Sequence, residues 1–507
     1  MIEQLQHMTG WVQQHPWWIL GGVGGILAPI LIHEALNRQK ATAETHGSAR
    51  WATAKEIQQT GLTQPRGVML GKVNGQYLRH DGPEHMLLVG PTRSGKGIST
   101  IIPTLLTWGK VDREGHGGSV IVFDPKGGEN YDVTAPWRGE HVGPVYAFNP
   151  RRTPTCTRIN VLDTIRLRTL DEFGDAQLIA MSLVSPEKMA KETATSKHFR
   201  EVAGHLITAA ILHVMYTSPR KSLAGVWDFL TQQHDSLDEC LTSMLTTAHI
   251  SQGTHQAIAS LTRMIKNISG DREISAVWST ATRPLVIYND PKVAASTDAS
   301  DLNLNDLQHG ENPIALYLIA PSTVSLKRDH PVYRVILDVA MAVLMNHKVR
   351  TQKHRLLTIL DEGRAYGYME SVEERISDKA GYGMKDLLIF QDLDQMWDTY
   401  GHQSNIWGNC KVKVFYAPDN DATAERISKK LLGYQTVEDH VQQPARGRQP
   451  AGVSVHQHGR ELLTTDELMD LPPQEEVIRI TGMKPIKAEK LDYRQDRWLK
   501  ERACITS

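Results

Sequence analysis

Cysteine is scarce in this chain of 507 residues: Cys156, Cys240, Cys410 and Cys504 stand far apart, none in Cys-x-x-Cys spacing. That excludes a zinc ribbon and a disulfide scaffold, and it suits a reducing compartment. A charge excess is missing as well, because 56 Lys and Arg against 57 Asp and Glu leave a net charge of −1. A globally basic nucleic-acid binder is thereby excluded, and any contact with a phosphate backbone has to be local. The length exceeds what one simple core accommodates, so two or three domains are expected.

Charge is absent altogether from residues 16–32, Pro-Trp-Trp-Ile-Leu-Gly-Gly-Val-Gly-Gly-Ile-Leu-Ala-Pro-Ile-Leu-Ile. Seventeen residues is the short limit for a membrane span. Trp11, Trp17 and Trp18 mark one edge, and Arg38, Lys40, Arg50 and Lys55 follow the other, whereas the first 15 residues carry no Lys or Arg. The asymmetry predicts an N-terminal anchor with the large remainder in the cytoplasm. A signal peptide fits less well, for want of a basic n-region and a small-residue cleavage site.

What is present begins at Met86-Leu87-Leu88-Val89, an apolar run entering Gly90-Pro91-Thr92-Arg93-Ser94-Gly95-Lys96-Gly97, with helical spacing from Ile98 to Trp108. Strand, glycine-flanked loop and helix in that order form a phosphate-binding P-loop. Glycines let backbone N–H groups turn to phosphate oxygens, the helix N-terminus adds partial positive charge, and Lys96 reaches the β- and γ-phosphates. Gly97 stands where a Mg²⁺-binding Ser or Thr is usual, so the metal hydroxyl falls to Ser94, Ser99 or Thr100. Ser119–Phe123 predicts a parallel strand that delivers Asp124 to the sheet's carboxyl edge, as a nucleotide-site group or a turn cap. Leu356–Leu360 ending in Asp361-Glu362 has the Walker B pattern: Asp361 to hold Mg²⁺, Glu362 to polarise the attacking water. Leu387–Phe390 ends in Gln391, an amide placed to sense the γ-phosphate. With no Asn-Lys-x-Asp guanine signature, ATP is the expected nucleotide.

Other stretches organise the chain. Residues 41–85 read as a linker and short strands. From 168 to 305 the periodicity is helical, predicting an all-α domain inserted between strands of one sheet. His198, His205 and His213 lie along one of its helices without metal-site clustering. The basic run from Asn346 to Arg355 reads as a solvated connection that could touch a phosphate backbone. Residues 440–459, rich in Gln, Pro, Gly and Arg, read as a mobile loop.

The chain resembles the TraG/TraD-type coupling proteins of type IV secretion and conjugation systems over nearly its whole length. The resemblance rests on Gly47–Ala52, Gly90–Gly97, Phe123–Gly127, Asp361-Glu362, Asn409-Cys410, Tyr416–Pro418, Thr423–Glu425 and Arg460–Glu467. It implies a RecA-like P-loop NTPase of α/β class with an inserted all-α domain and an N-terminal membrane anchor. The implied division is 1–40 (anchor), 41–167 and 306–507 (the two parts of the nucleotide-binding domain) and 168–305 (all-α domain). The implied activity is ATP hydrolysis with Mg²⁺ by a homo-hexamer at the bacterial inner membrane. It would bring relaxase-bound single-stranded DNA, protein effectors, or both to the secretion channel, with inner-membrane components and secretion ATPases as further partners. P-loop residues Gly90 to Ile98 and Asp124 would bind nucleotide, and Lys96, Asp361, Glu362 and Gln391 would be catalytic. Arg375 and Lys379 are the choices for a trans finger. The family often has two membrane helices, and only one is legible here. The rivals are a chromosome-segregation DNA translocase and a nucleotide-dependent recruitment platform with little turnover.

Overall fold

The structure, a computed structural model, describes residues 46–109, 118–152, 156–186, 193–233, 236–268, 270–347, 351–443 and 452–503. The anchor expected at 16–32 lies outside them, as do Lys348–Arg350 of the basic run and Cys504. Among the described residues no helix is long and apolar enough to cross a membrane. The described residues form two compact bodies.

The larger body, the described residues of 52–423 and 469–503, is built on an eleven-stranded sheet in the order β2-β1-β13-β12-β9-β3-β8-β7-β4-β6-β5. In chain order the strands are β1 (Val68–Val73), β2 (Gln76–His80), β3 (Met86–Val89), β4 (Gly118–Asp124), β5 (Val145–Phe148), β6 (Ala315–Ile319), β7 (Arg355–Leu360), β8 (Met384–Phe390), β9 (Val412–Phe415), β12 (Glu475–Ile480) and β13 (Ile486–Glu489). From β9 to β5 the pairing is parallel throughout. Every residue of β3, β4, β8 and β9 is buried, as a sheet covered on both faces requires. Beyond β9 the sheet continues antiparallel through β12, β13, β1 and β2. In β13 burial alternates strictly, the mark of a strand with one covered face.

Between β5 and β6 the regular elements of the described residues are all helices, apart from one isolated bridge. The helices include Glu172–Val184, Ala194–Thr217, Leu223–Thr231, Leu237–Thr246, Gln256–Lys266 and Asp271–Thr282. Side-chain caps fix several starts: Thr193, Ser222 and Ser236 each accept from a backbone N–H of the first turn, satisfying donors the helix leaves open. These helices belong to the same compact body as the sheet. His213 does have a histidine neighbour, but from another segment: its Nδ1 lies 2.8 Å from His249 Nε2. His255 Nε2 lies 2.8 Å from Glu172 Oε1. His198 faces Glu273 instead, at 3.2 Å.

The smaller body comprises residues 46–51 and Ala424–Leu468. Here the expectation of a loop over 440–459 is corrected at 440–443 and 452–459, and its stretch 444–451 lies outside the described residues. Tyr434–Gln443 (β10) and Gly452–Glu461 (β11) pair antiparallel over their full lengths. The basic run is corrected in part. His354 is buried, and Arg355 opens β7 with its guanidinium on Asp81, 2.7 Å away, so neither side chain is a solvated connector.

Candidate functional site

Register brings the motif ends together. Val89 pairs with Phe390 on one side and Phe415 on the other; Leu360 pairs with Leu388 and Phe123. The next residues, Gly90, Gln391, Tyr416, Asp361 and Asp124, therefore emerge along one carboxyl edge, where ligands bind in parallel sheets. Strand β8 separates the P-loop strand β3 from the Walker B strand β7, and Gln391 emerges between them.

The loop itself is shaped by positive-φ residues. Arg93 (φ 64°) and Gly95 (φ 91°) are left-handed, the backbone pattern that turns successive N–H groups into an anion-binding nest. Gly97–Ile101 forms π-helical turns before the α-helix Ile102–Leu105. Ile102 N–H closes the turn on Gly97 O, just before Pro103, which has no N–H to offer. A β-carbon at Gly97 would meet nothing within 4 Å, so space does not dictate glycine there. Of the hydroxyls considered for a metal, Thr100 Oγ1 lies 2.9 Å from Tyr416 OH and Ser99 also engages that phenol. Ser94 Oγ is buried without a hydrogen-bond partner.

Lys96 Nζ donates to Gly90 O (2.6 Å) and Pro91 O (2.8 Å). Burial lowers its pKa, opposed by the charge of Asp361; Lys126 lowers it further, while Glu362 and Asp419 raise it. Asp361 is buried, and burial raises its pKa against the pull of Lys126 and Lys96. Glu362 adopts a left-handed backbone (φ 66°, ψ 57°), and its Oε1 accepts from Gln391 Nε2. Gln391 Oε1 in turn accepts from Gln395 Nε2 at 3.1 Å. Gln391 is thus tied to the Walker B glutamate.

Both readings of Asp124 find support. Its Oδ2 accepts from Asn130 N (2.8 Å) and Tyr131 N (3.1 Å), capping the helix Glu129–His141. Its Oδ1 is buried without a partner. Burial pushes its pKa up to about 6, despite the backbone donors. The two finger choices part company. Lys379 is fully buried, with Nζ 2.8 Å from Asp386 Oδ2, a placement that does not suit a finger reaching outside its own chain. Arg375 is partly exposed, 3.4 Å from Glu370, and lines a cleft of about 1210 Å³ with Arg166, Asp175 and Asn305. That cleft shares no lining residue with the P-loop.

Sequence reasoning gave no role in the site to Lys126 and Asp419, whose charges act on Lys96, or to Tyr416 beneath the loop. Lys126 and Asp419 each follow a strand end in the sequence, which is the signal that could have found them. Among the described residues no group of three or more His, Cys, Asp or Glu could hold a metal alone. Mg²⁺ does not need one, since it binds through one or two carboxylates plus phosphates and water. The nest, the lysine, the buried Asp361 and the unpartnered oxygens of Ser94 and Asp124 fit a nucleotide phosphate carrying a divalent cation.

The chain is 32% identical to the conjugal transfer protein TraG of Escherichia coli, covering 98% of this chain and 85% of that protein. It is 27% identical to protein VirD4 of Rhizobium radiobacter, covering 90% of this chain and 65% of that one. The solved plasmid coupling protein TrwB in complex with ADP and Mg²⁺ superposes with a TM-score of 0.64 at 15% identity, covering 88% and 94% of the two chains; at that identity it shows the fold alone. Residues 44–505 match the type IV secretory system conjugative DNA transfer family, and the chain belongs to that family of TraG/VirD4-type coupling proteins.

Proposed function

We propose that the chain is the ATPase of a type IV secretion system's coupling step, recruiting relaxase-bound single-stranded DNA, protein substrates, or both, and driving their transfer. The observation that carries this is the convergence of Lys96, Asp361 and the Glu362–Gln391 pair on one sheet edge. Bound ATP with Mg²⁺ supplies the phosphoanhydride whose hydrolysis drives movement. The chain's own residues do the rest. The nest at Arg93–Gly95 and the Lys96 ammonium bind phosphate oxygens, the ammonium turning from the loop carbonyls that hold it. Asp361 and Ser94 Oγ would hold the cation. Glu362 orients a water, and Gln391 keeps that carboxylate aimed. Arg375 is the trans finger of a homo-hexamer, and the charge-free segment 16–32 anchors it at the inner membrane. The helices between β5 and β6 form the cytoplasmic docking domain for relaxase or effectors.

A recruitment platform with little turnover is the second reading, favoured by Gly97 and by the double tether on Lys96. Hydrolysis by the detergent-solubilised full chain, with and without single-stranded DNA and beside Lys96→Ala, separates the two. DNA-stimulated turnover lost in the variant supports the motor. Binding without turnover under any DNA condition supports the platform.

A further inference from the structure

The P-loop is held from outside by the end of the chain. Lys490, just past β13, donates from Nζ to Ser94 O at 3.3 Å. Its ammonium also sits 3.8 Å from the centroid of the Tyr416 ring. That ring floors the loop: a β-carbon on Gly90 would lie 2.9 Å from Tyr416 Cβ, and the phenol bonds Thr100 Oγ1. The position of Lys490 is itself fixed, because its backbone N–H donates to Gln474 O at 2.7 Å. Farther on, Tyr493 and Leu499 pack on Ile102 and Leu106 of the P-loop helix, and Arg502 donates to Leu106 O at 2.9 Å.

We infer that Lys490 is a positioning residue for nucleotide binding, which draws the Ser94 carbonyl outward so that the loop's N–H groups stay turned to the phosphates. The inference rests on the nucleotide reading above and deepens it. A peptide that presents its carbonyl to a cation presents its N–H to the opposite side, and the cation–π contact fixes the ammonium where that pull is exerted.

The charged and titratable groups facing Lys490 are Glu476 on β12, Tyr416 after β9, and Lys96 in the loop. Glu476 is fully buried, and neither carboxyl oxygen has a hydrogen-bond partner. Burial lowers the Lys490 pKa to about 8, with Glu476 opposing and Lys96 adding to the shift.

The test is the affinity of the full chain for a fluorescent ATP analogue with Mg²⁺ at pH 7, in wild type, Lys490→Met, Lys490→Gln and Lys490→Arg, with Lys96→Ala as the control for lost binding. Lys490→Met should bind about ten-fold more weakly than wild type, as a charged hydrogen bond is lost. Lys490→Arg, which keeps the charge, should bind like wild type. Wild-type affinity in Lys490→Met, or a loss in Lys490→Arg as large as in Lys490→Met, overturns the inference. If Lys490→Met does not fold, Lys490→Gln, expected to show the same loss of about ten-fold, decides. A wild type that binds no analogue rejects the nucleotide reading itself, and the inference with it.

Discussion

Glu362 occupies a left-handed backbone position that costs a non-glycine residue about 1–2 kcal/mol, and Gln391 holds its carboxylate from the neighbouring strand. If that hydrogen bond aims the carboxylate, Gln391→Ala should lower kcat by about a hundred-fold while nucleotide affinity stays within two-fold. Single-turnover and binding measurements check the split, and an equal loss in both would reject an aiming role. A second residue-scale consequence lies at the opposite, amino-terminal end of the sheet. Burial, then Lys385 and Arg355, lower the His80 pKa to about 3, outweighing Glu84 at 3.3 Å from Nε2. His80 is neutral in the fold and accepts from Lys385 Nζ on Nδ1. Below pH 6.5 the unfolded chain takes a proton that the folded chain refuses, so stability falls as pH falls from 6.5 toward 3. Between pH 7 and 5 this amounts to about 2 kcal/mol, and His80→Gln should remove that share of the loss in denaturant unfolding.

At the scale of elements, the P-loop helix is closed by a side chain from another helix. Arg138, fully buried, donates to Leu105 O (2.8 Å) and Trp108 O (2.7 Å), carbonyls that the helix end leaves open. Arg138→Leu orphans both and should cost about 2–4 kcal/mol, read as a lower unfolding midpoint. Wild-type stability in that variant would show that water satisfies the carbonyls instead. The parallel strands were legible because burial on both faces writes them as unbroken apolar runs, such as Leu87-Leu88-Val89 and Ile121-Val122-Phe123. The hairpin β10–β11 was not, because Gln435, Glu438, Gln442, His456 and Gln457 give it the composition of a loop, and backbone pairing leaves no trace in composition. Lys490 was illegible for another reason. It meets Ser94 from the far end of the chain, and no local pattern encodes a contact of that reach. Gly97 stands where a Ser or Thr is usual, and the space around it accepts a side chain. Gly97→Thr should therefore fold normally, and any gain in Mg²⁺ dependence of turnover would measure what the glycine withholds.

For the whole molecule, the proposed assembly makes Arg375 act on a neighbour's nucleotide. Arg375→Ala should then leave nucleotide affinity of the isolated subunit unchanged and lower turnover of the assembly. Mixing it with Lys96→Ala should restore part of the activity at mixed interfaces, whereas mixtures no better than either variant would reject a trans role. The sheet order also governs how the molecule is made. Strand β3 emerges early from the ribosome, but both of its neighbours, β8 and β9, lie roughly three hundred residues later. At about 5–20 residues per second the nascent P-loop strand waits on the order of 15–60 s with both edges bare. An apolar Met-Leu-Leu-Val segment in that condition is a target for chaperones and for pairing with other chains. Synthesis rate between residues 90 and 415, rather than the stability of the finished fold, should set the yield of soluble protein.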